Sequence, residues 1–171
     1  MYKKIIIFGA PGSGKSTLAK SLCAKMNLPY FNLDSLVYLK GWNYKHTDNQ
    51  IKKSIEIIAN KDKWVLEGFH SKKETWMLPS LEKADFVVIL NLSNKVLFKN
   101  NLKRAIDAPF SMYGFMYVGD LIWKSSRYKS KVLPKDIELV RKYRKTHIIL
   151  NTESDVKDFV NKITIVNDTL N

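Results

Sequence analysis

Residues 9–17 read Gly-Ala-Pro-Gly-Ser-Gly-Lys-Ser-Thr. Gly9, Gly12 and Gly14 give the main chain the freedom to curl, so that its N–H groups point inward at an anion. Ser13 and Thr17 complete the same cradle. Lys15 supplies a point charge for the β- and γ-phosphates, and the Ser16 hydroxyl is spaced to ligate Mg²⁺. The pattern is G-x-x-x-x-G-K-[ST], and its chemistry is the binding of a nucleotide's phosphates. Two acids suit such a site. Asp34 lies in Leu33-Asp34-Ser35-Leu36, and Glu67 ends Trp64-Val65-Leu66-Glu67. Phosphoryl transfer needs a metal held and an acceptor oriented in line. Glu67 is assigned to the metal and Asp34 to the acceptor. The plainer alternatives are a strand-end surface acid for Glu67 and a helix N-cap for Asp34. Arg104 and Arg127 are suited to neutralising charge that develops in a transition state. Their alternatives are a charge complementing a helix C-terminus and an exposed basic face.

The elements that must position these residues alternate. Lys4–Phe8 is an apolar run that reads as a strand. Lys15–Met26 reads as a helix, with Leu18, Leu22 and Met26 on one face. Pro29–Leu33 reads as a second strand, Asp48–Asn60 as a helix, and Trp64–Leu66 as a third strand. Phe86–Leu90 is continuously apolar, as expected of a strand covered on both faces. Lys95–Ile106 and Asp136–Lys145 read as helices, His147–Leu150 as a fifth strand, and Ser154–Ile163 as a last helix begun by Asp155. This alternation predicts an α/β architecture, a parallel sheet with helices on both faces. In such sheets ligands collect beyond the carboxyl ends of the strands. There lie the glycine loop, Asp34, Glu67 to His70, Asn91 with Ser93, and Asn151 with Thr152.

Composition narrows the classes. The chain has 171 residues, most simply one domain, and 45% hydrophobic content. No apolar run is long enough for a membrane span, and the start of the chain does not read as a signal peptide. Cys23 is the single cysteine, so no internal disulfide forms, and it reads as core filler in a reducing cytoplasm. No spacing among His46, His70, His147 and Cys23 suggests zinc. Gly68 reads either as a turn or as a place for close approach to the backbone. The net charge is +13, and residues 95–145 hold 13 lysines and arginines against four acids. That block suits nucleotide phosphates, a nucleic-acid backbone or a solvated surface. Residues 108–128 mix aromatics with glycine and proline. They read as a movable lid, a packed helix or a partner-recruiting patch.

The loop Gly9–Thr17, the acid-Gly-Phe at 67–69 and a helix ending in Arg104 resemble the adenylate-kinase-like branch of P-loop kinases. A closer likeness is to the small bacterial DNA topology modulation proteins. It rests on Leu33-Asp34-Ser35-Leu36, Lys40-Gly41-Trp42, Trp64 to Gly68 with Ser71, and Ala84-Asp85-Phe86. The resemblance implies a P-loop NTPase fold, a five-stranded parallel sheet of order 2-3-1-4-5 with helices on both faces. It also implies ATP and Mg²⁺ at Gly9–Thr17 and arginines delivered from a lid over 105–132. The chain departs from the adenylate kinases at several positions. Glu67 stands for their Asp, His70 and Ser71 for their Pro-Arg, and Asn100 for an arginine. Lys72 is a point charge without the arginine fork. These departures favour a small hydroxyl acceptor, as in shikimate- or gluconate-type kinases, with Asp34 as base.

The residues together support ATP/Mg-dependent phosphoryl transfer to a small-molecule acceptor by a monomer or homodimer without a membrane partner. The alternative is a nucleic-acid-associated NTPase or nucleotide-binding regulator, which the basic block motivates.

Overall fold

The lysine-bounded isoleucine run becomes strand β1 (Lys4–Gly9), and its pleat sorts the core. Ile6 and Phe8 join one buried cluster, while Ile5 and Ile7 join another on the opposite face. The remaining strands are β2 (Tyr30–Asn32), β3 (Trp64–Glu67), β4 (Phe86–Leu90) and β5 (His147–Leu150). All pairings are parallel and the order is β2-β3-β1-β4-β5. The computed structural model describes residues 2–37, 47–68, 74–107 and 112–168; within these, the side chains of 74–75, 105, 107, 112–118 and 164–168 lie outside the description.

Helices cover both faces. Helix α1 (Lys15–Met26) buries Leu18, Ala19, Leu22 and Met26 in the Ile5/Ile7 cluster. Helix α8 (Glu153–Asp168) packs on the same face through Val156, Phe159 and Val160. The other face carries α3 (Asp48–Ala59), α4 (Glu74–Lys83) and α7 (Leu133–Lys142). Helix α3 starts where the sequence places it because Thr47 and Gln50 close a reciprocal capping box. Thr152 and Asp155 do the same for α8, with Asp155 Oδ2 accepting from the Asn151 and Thr152 amides at 2.9 and 3.0 Å. Those bonds hold the exposed Asp155 carboxyl below its ordinary pKa. Among the described residues, no helix is long and apolar enough to cross a membrane.

Several boundaries differ from the sequence reading. The second strand is shorter than Pro29–Leu33, because Leu33 begins the short helix α2 (Leu33–Val37). Helix α5 runs from Asn94 to Asp107, slightly beyond Lys95–Ile106. Helix α7 begins at Leu133 rather than Asp136, with Pro134 in its first turn, where a missing N–H costs nothing. The last helix is longer than Ser154–Ile163 at both ends. Helix α4 was not expected, since Pro79 within it removes a backbone donor. Residues 112–127 form helix α6 (Met112–Arg127), which continues through a π-helical turn, Tyr128–Val132, into α7.

Candidate functional site

The phosphate loop joins β1 to α1 at the carboxyl edge of the sheet. Gly14 caps α1 in the left-handed region, at φ 84°, with open space where a side chain would stand. Gly12 is also left-handed, at φ 79°, and a Cβ there would lie 2.6 Å from Asn101 Oδ1. Its glycine is required by torsion and by contact together. The first intrahelical bond runs from the Leu18 amide to the Gly14 carbonyl. The amides of Lys15, Ser16 and Thr17 precede it, so helix geometry gives them no acceptor within α1 and they present an anion site. Ser13 is buried and its amide closes a turn on the Ala10 carbonyl at 3.1 Å.

Helix α5 braces the loop from the far side. Asn100 Nδ2 donates to the Gly12 carbonyl at 2.9 Å. The position where the resemblance expects an arginine therefore holds a loop brace. Asn101 is wholly buried and reaches the Pro11 carbonyl at 3.4 Å and Ser125 Oγ at 3.0 Å. The sequence reading did not single out Asn101 or Ser125. A buried amide beside a glycine loop has no local sequence signal.

Lys15 Nζ donates to the Ala10 carbonyl at 3.1 Å. Burial lowers its ammonium below the ordinary lysine pKa, Glu67 and Asp34 oppose that shift, and Arg104 adds to it. Lys15, Glu67, Asp34 and Arg104 thus share one electrostatic neighbourhood. Asp34 sits in the first turn of α2, half-buried. It does not cap that helix, because Asn32 Oδ1 accepts the Ser35 amide at 2.9 Å and does so itself.

Glu67 is only 4% exposed, so it is not a surface acid. Ser16 Oγ donates to Glu67 Oε1 at 2.8 Å, while Asn32 Nδ2 at 2.7 Å and the Tyr30 hydroxyl both donate to Oε2. Burial, and then the bond to Glu67, push the Tyr30 phenol up to about 12. The sequence reading placed Ser16 with Glu67 and missed Tyr30 and Asn32. A carboxylate and a hydroxyl side by side are hard oxygen donors of the kind Mg²⁺ takes, and a phosphate ligand supplies further oxygens. The residues present fit that ion.

The two arginines part company. Arg104 lines a small hollow with Gly12, Gly14, Thr17, Asn100 and Lys103. Arg127, expected to close from the lid side, is not among the residues lining that hollow. Its guanidinium lies 4.9 Å from the Trp123 ring on the exposed side of α6, in a separate groove with Ser126, Ser130 and Lys131. Helical phase explains this: the face that turns Ser125 inward turns Arg127 outward.

A cleft of about 600 Å³ opens beside the loop, lined by residues including Ser13, Gly14, Thr17, Leu92, Val156 and Lys157. The segments after β4 and β5 reach it through Leu92 and Glu153. Asn91 and Asn151 bond each other at 3.0 Å, and Ser93 caps α5 through the Val96 amide at 3.4 Å. His147 Nδ1 bonds the Lys145 carbonyl at 2.9 Å, a structural contact. Gly68 is left-handed at φ 106° and its amide donates to the Ile7 carbonyl at 2.9 Å. The expectations for His46, His70, Ser71, Lys72 and Lys40-Gly41-Trp42 lie outside the described residues.

Comparison with known proteins agrees with this geometry. A family described as AAA domain matches residues 5–107. Adenylate kinase 8 of Mus musculus is 31% identical over 123 residues, covering 61% of this chain and 26% of that protein. Adenylate kinase of Wigglesworthia glossinidia brevipalpis is 29% identical over 124 residues, covering 61% of this chain and 57% of that protein. The chain thus spans about a quarter of the first relative and just over half of the second. A solved shikimate kinase from Acinetobacter baumannii, in complex with shikimate, superposes with a TM-score of 0.59 at 16% identity, covering 99% of this chain and 96% of that one. At that identity the likeness speaks for the fold, which is that of the P-loop kinases.

Proposed function

The chain belongs to the AAA domain family of P-loop proteins, and from that premise we propose that it transfers the γ-phosphoryl group of ATP to a small-molecule acceptor. The observation that carries this reading is the Ser16 hydroxyl held 2.8 Å from a buried Glu67 beside Lys15 and the loop amides. Kinase relatives support the reaction class.

In this reading the amides of Gly14 to Thr17 hold the phosphates, and Ser16 with Glu67 would hold Mg²⁺. The ion, when bound, offsets charge on the phosphate oxygens. Lys15 stabilises the group in transfer. The nucleoside lies in the cleft lined by Leu92 and Val156. Asp34 orients an acceptor hydroxyl and receives its proton as the O–P bond forms and the bond to ADP breaks. Arg104 neutralises charge from the α5 side. The segment 105–132, largely α6, acts as the lid. A hydroxyl acceptor is favoured because Asp34, in the first turn of α2, shares the electrostatic neighbourhood of Lys15 and Glu67 while Asn32 takes the role of helix cap.

ADP release from ATP and Mg²⁺ tests the reading, against nucleoside monophosphates, nucleosides, shikimate, gluconate and related polyols, with Lys15→Ala as blank. Stimulation by one acceptor class is expected. Asp34→Asn should lose on the order of 10²–10⁴ in transfer with ATP binding intact. A slow rate indifferent to every acceptor overturns the kinase reading. It would favour an NTPase or nucleotide-binding regulator, whose nucleic-acid arm is checked by a salt-titrated DNA-binding assay.

A further inference from the structure

We propose that Tyr30 and Asn32 are positioning residues. Together they pin Glu67 Oε2, so that Oε1 alone faces the Ser16 hydroxyl and the metal it helps to hold. The inference rests on the phosphoryl-transfer reading and deepens it on the metal side.

The geometry is specific. Strand β2 pairs with β3 in parallel, with Asn32 opposite Glu67. Tyr30 lies two residues earlier and so points to the same face of the sheet. Both side chains converge on one oxygen, Glu67 Oε2, and Asn32 Nδ2 also lies 3.2 Å from the Tyr30 hydroxyl. The carboxylate is therefore locked in rotation. A carboxylate free to turn could offer either oxygen, or both, to a cation. Here one oxygen is committed to two donors, and among the described residues the other receives Ser16 Oγ at 2.8 Å. Such outer partners orient a metal-facing group and set its basicity. Strand β2 has only three residues, and two of them make these contacts.

A merely structural role would look different in solution. Tyr30 and Asn32 would then brace the sheet edge, and their loss would weaken nucleotide binding whether or not metal is present. Calorimetric ATP affinities in Mg²⁺ and in EDTA separate the two. The variants are Tyr30→Phe, which removes one hydroxyl, and Asn32→Ser, which keeps a residue able to cap α2. In Tyr30→Phe the Mg²⁺-dependent gain in ATP affinity should fall roughly 10-fold, with affinity in EDTA within about twofold of wild type. The double variant should lose more of that gain. Equal losses in both media, or an unchanged gain, overturn the proposal. If wild-type protein binds ATP equally well with and without Mg²⁺, the assignment of Glu67 to the metal fails with it, while the phosphate-loop reading stands. If wild-type protein binds no ATP, the proposed function itself is lost, and this inference with it.

Discussion

Asn101 Nδ2 on α5 lies 3.0 Å from Ser125 Oγ on α6, and both reach the carbonyl of Pro11 in the phosphate loop. Two helices that follow the fourth strand thus hold a loop that follows the first. Asn101 also fills the space a side chain at Gly12 would take, so the loop's shape and the packing of α5 are one constraint.

That constraint separates two glycines of the same motif. Gly14→Ala meets open space and bears only left-handed strain, about 1 kcal/mol. Gly12→Ala adds a clash with Asn101 and should cost roughly 2–4 kcal/mol. Urea denaturation of both, and of Gly12→Ala with Asn101→Ala, measures this. The double variant should recover the clash and keep the strain. Equal costs at Gly12 and Gly14 would show that Asn101 does not crowd the loop.

Burial desolvates the Lys15 ammonium, and Glu67 and Asp34 oppose that effect. Its folded pKa lies below its ordinary value, so the unfolded chain binds the proton more tightly. Stability of the ligand-free protein should therefore rise with pH through the window ending near 10.5, the ordinary lysine value. Lys15→Met should remove that slope and raise the ligand-free Tm at neutral pH. The same change should lower transfer by on the order of 10²–10³-fold or more. Thermal melts from pH 7 to 10.5 with and without the substitution decide the sign.

Arg104 and Arg127 should respond unequally. Arg104 lines the hollow at Gly12 and Thr17, and Arg104→Ala should lower kcat by on the order of 10²-fold or more. Arg127 faces outward over Trp123, and Arg127→Ala should stay within about twofold in transfer and change stability by at most about 0.5 kcal/mol. A large loss at Arg127 would mean that α6 turns that face to the nucleotide during turnover.

Burial pushes the Cys23 thiol up to about 11. Thiolate-dependent labelling by a disulfide reagent should be slow at pH 8 and accelerate only toward pH 11. Because the folded thiol resists ionisation, stability should fall as pH rises above the unfolded value of 9.0. Fast labelling at pH 8 in native buffer would contradict this.

Legibility followed the range of the interactions. Strands β1, β3, β4 and β5 and helices α1, α3 and α8 were readable because apolar period and caps are local, as the Thr47–Gln50 box illustrates. Helix α4 was hidden by Pro79, whose local penalty is outweighed by packing of Trp76, Met77 and Leu81 in the core. Strand β2 was read one residue too long at each end, because Leu33 is apolar in either state and burial in α2 chose the helix. The direction of Arg127 was not legible, because charge reads the same on either face of a helix; the inward turn of Ser125 sets it.

The chain by itself determined the phosphate loop, since left-handed torsions at Gly12 and Gly14 and the spacing of Lys15 and Ser16 are properties of consecutive residues. The alternation of elements gave a parallel sheet covered on both faces, while the strand order was expected only from the resemblance to P-loop kinases and is set by how the elements dock. Which groups meet Glu67 was decided only in three dimensions. Tyr30 and Asn32 lie 37 and 35 residues from it, and the β2–β3 register brings them onto one oxygen. Asn101 and Ser125, separated from Pro11 by 90 and 114 residues, reach it because α5 and α6 pack against the loop. Contacts of that range depend on how whole elements dock, and no local pattern encodes them.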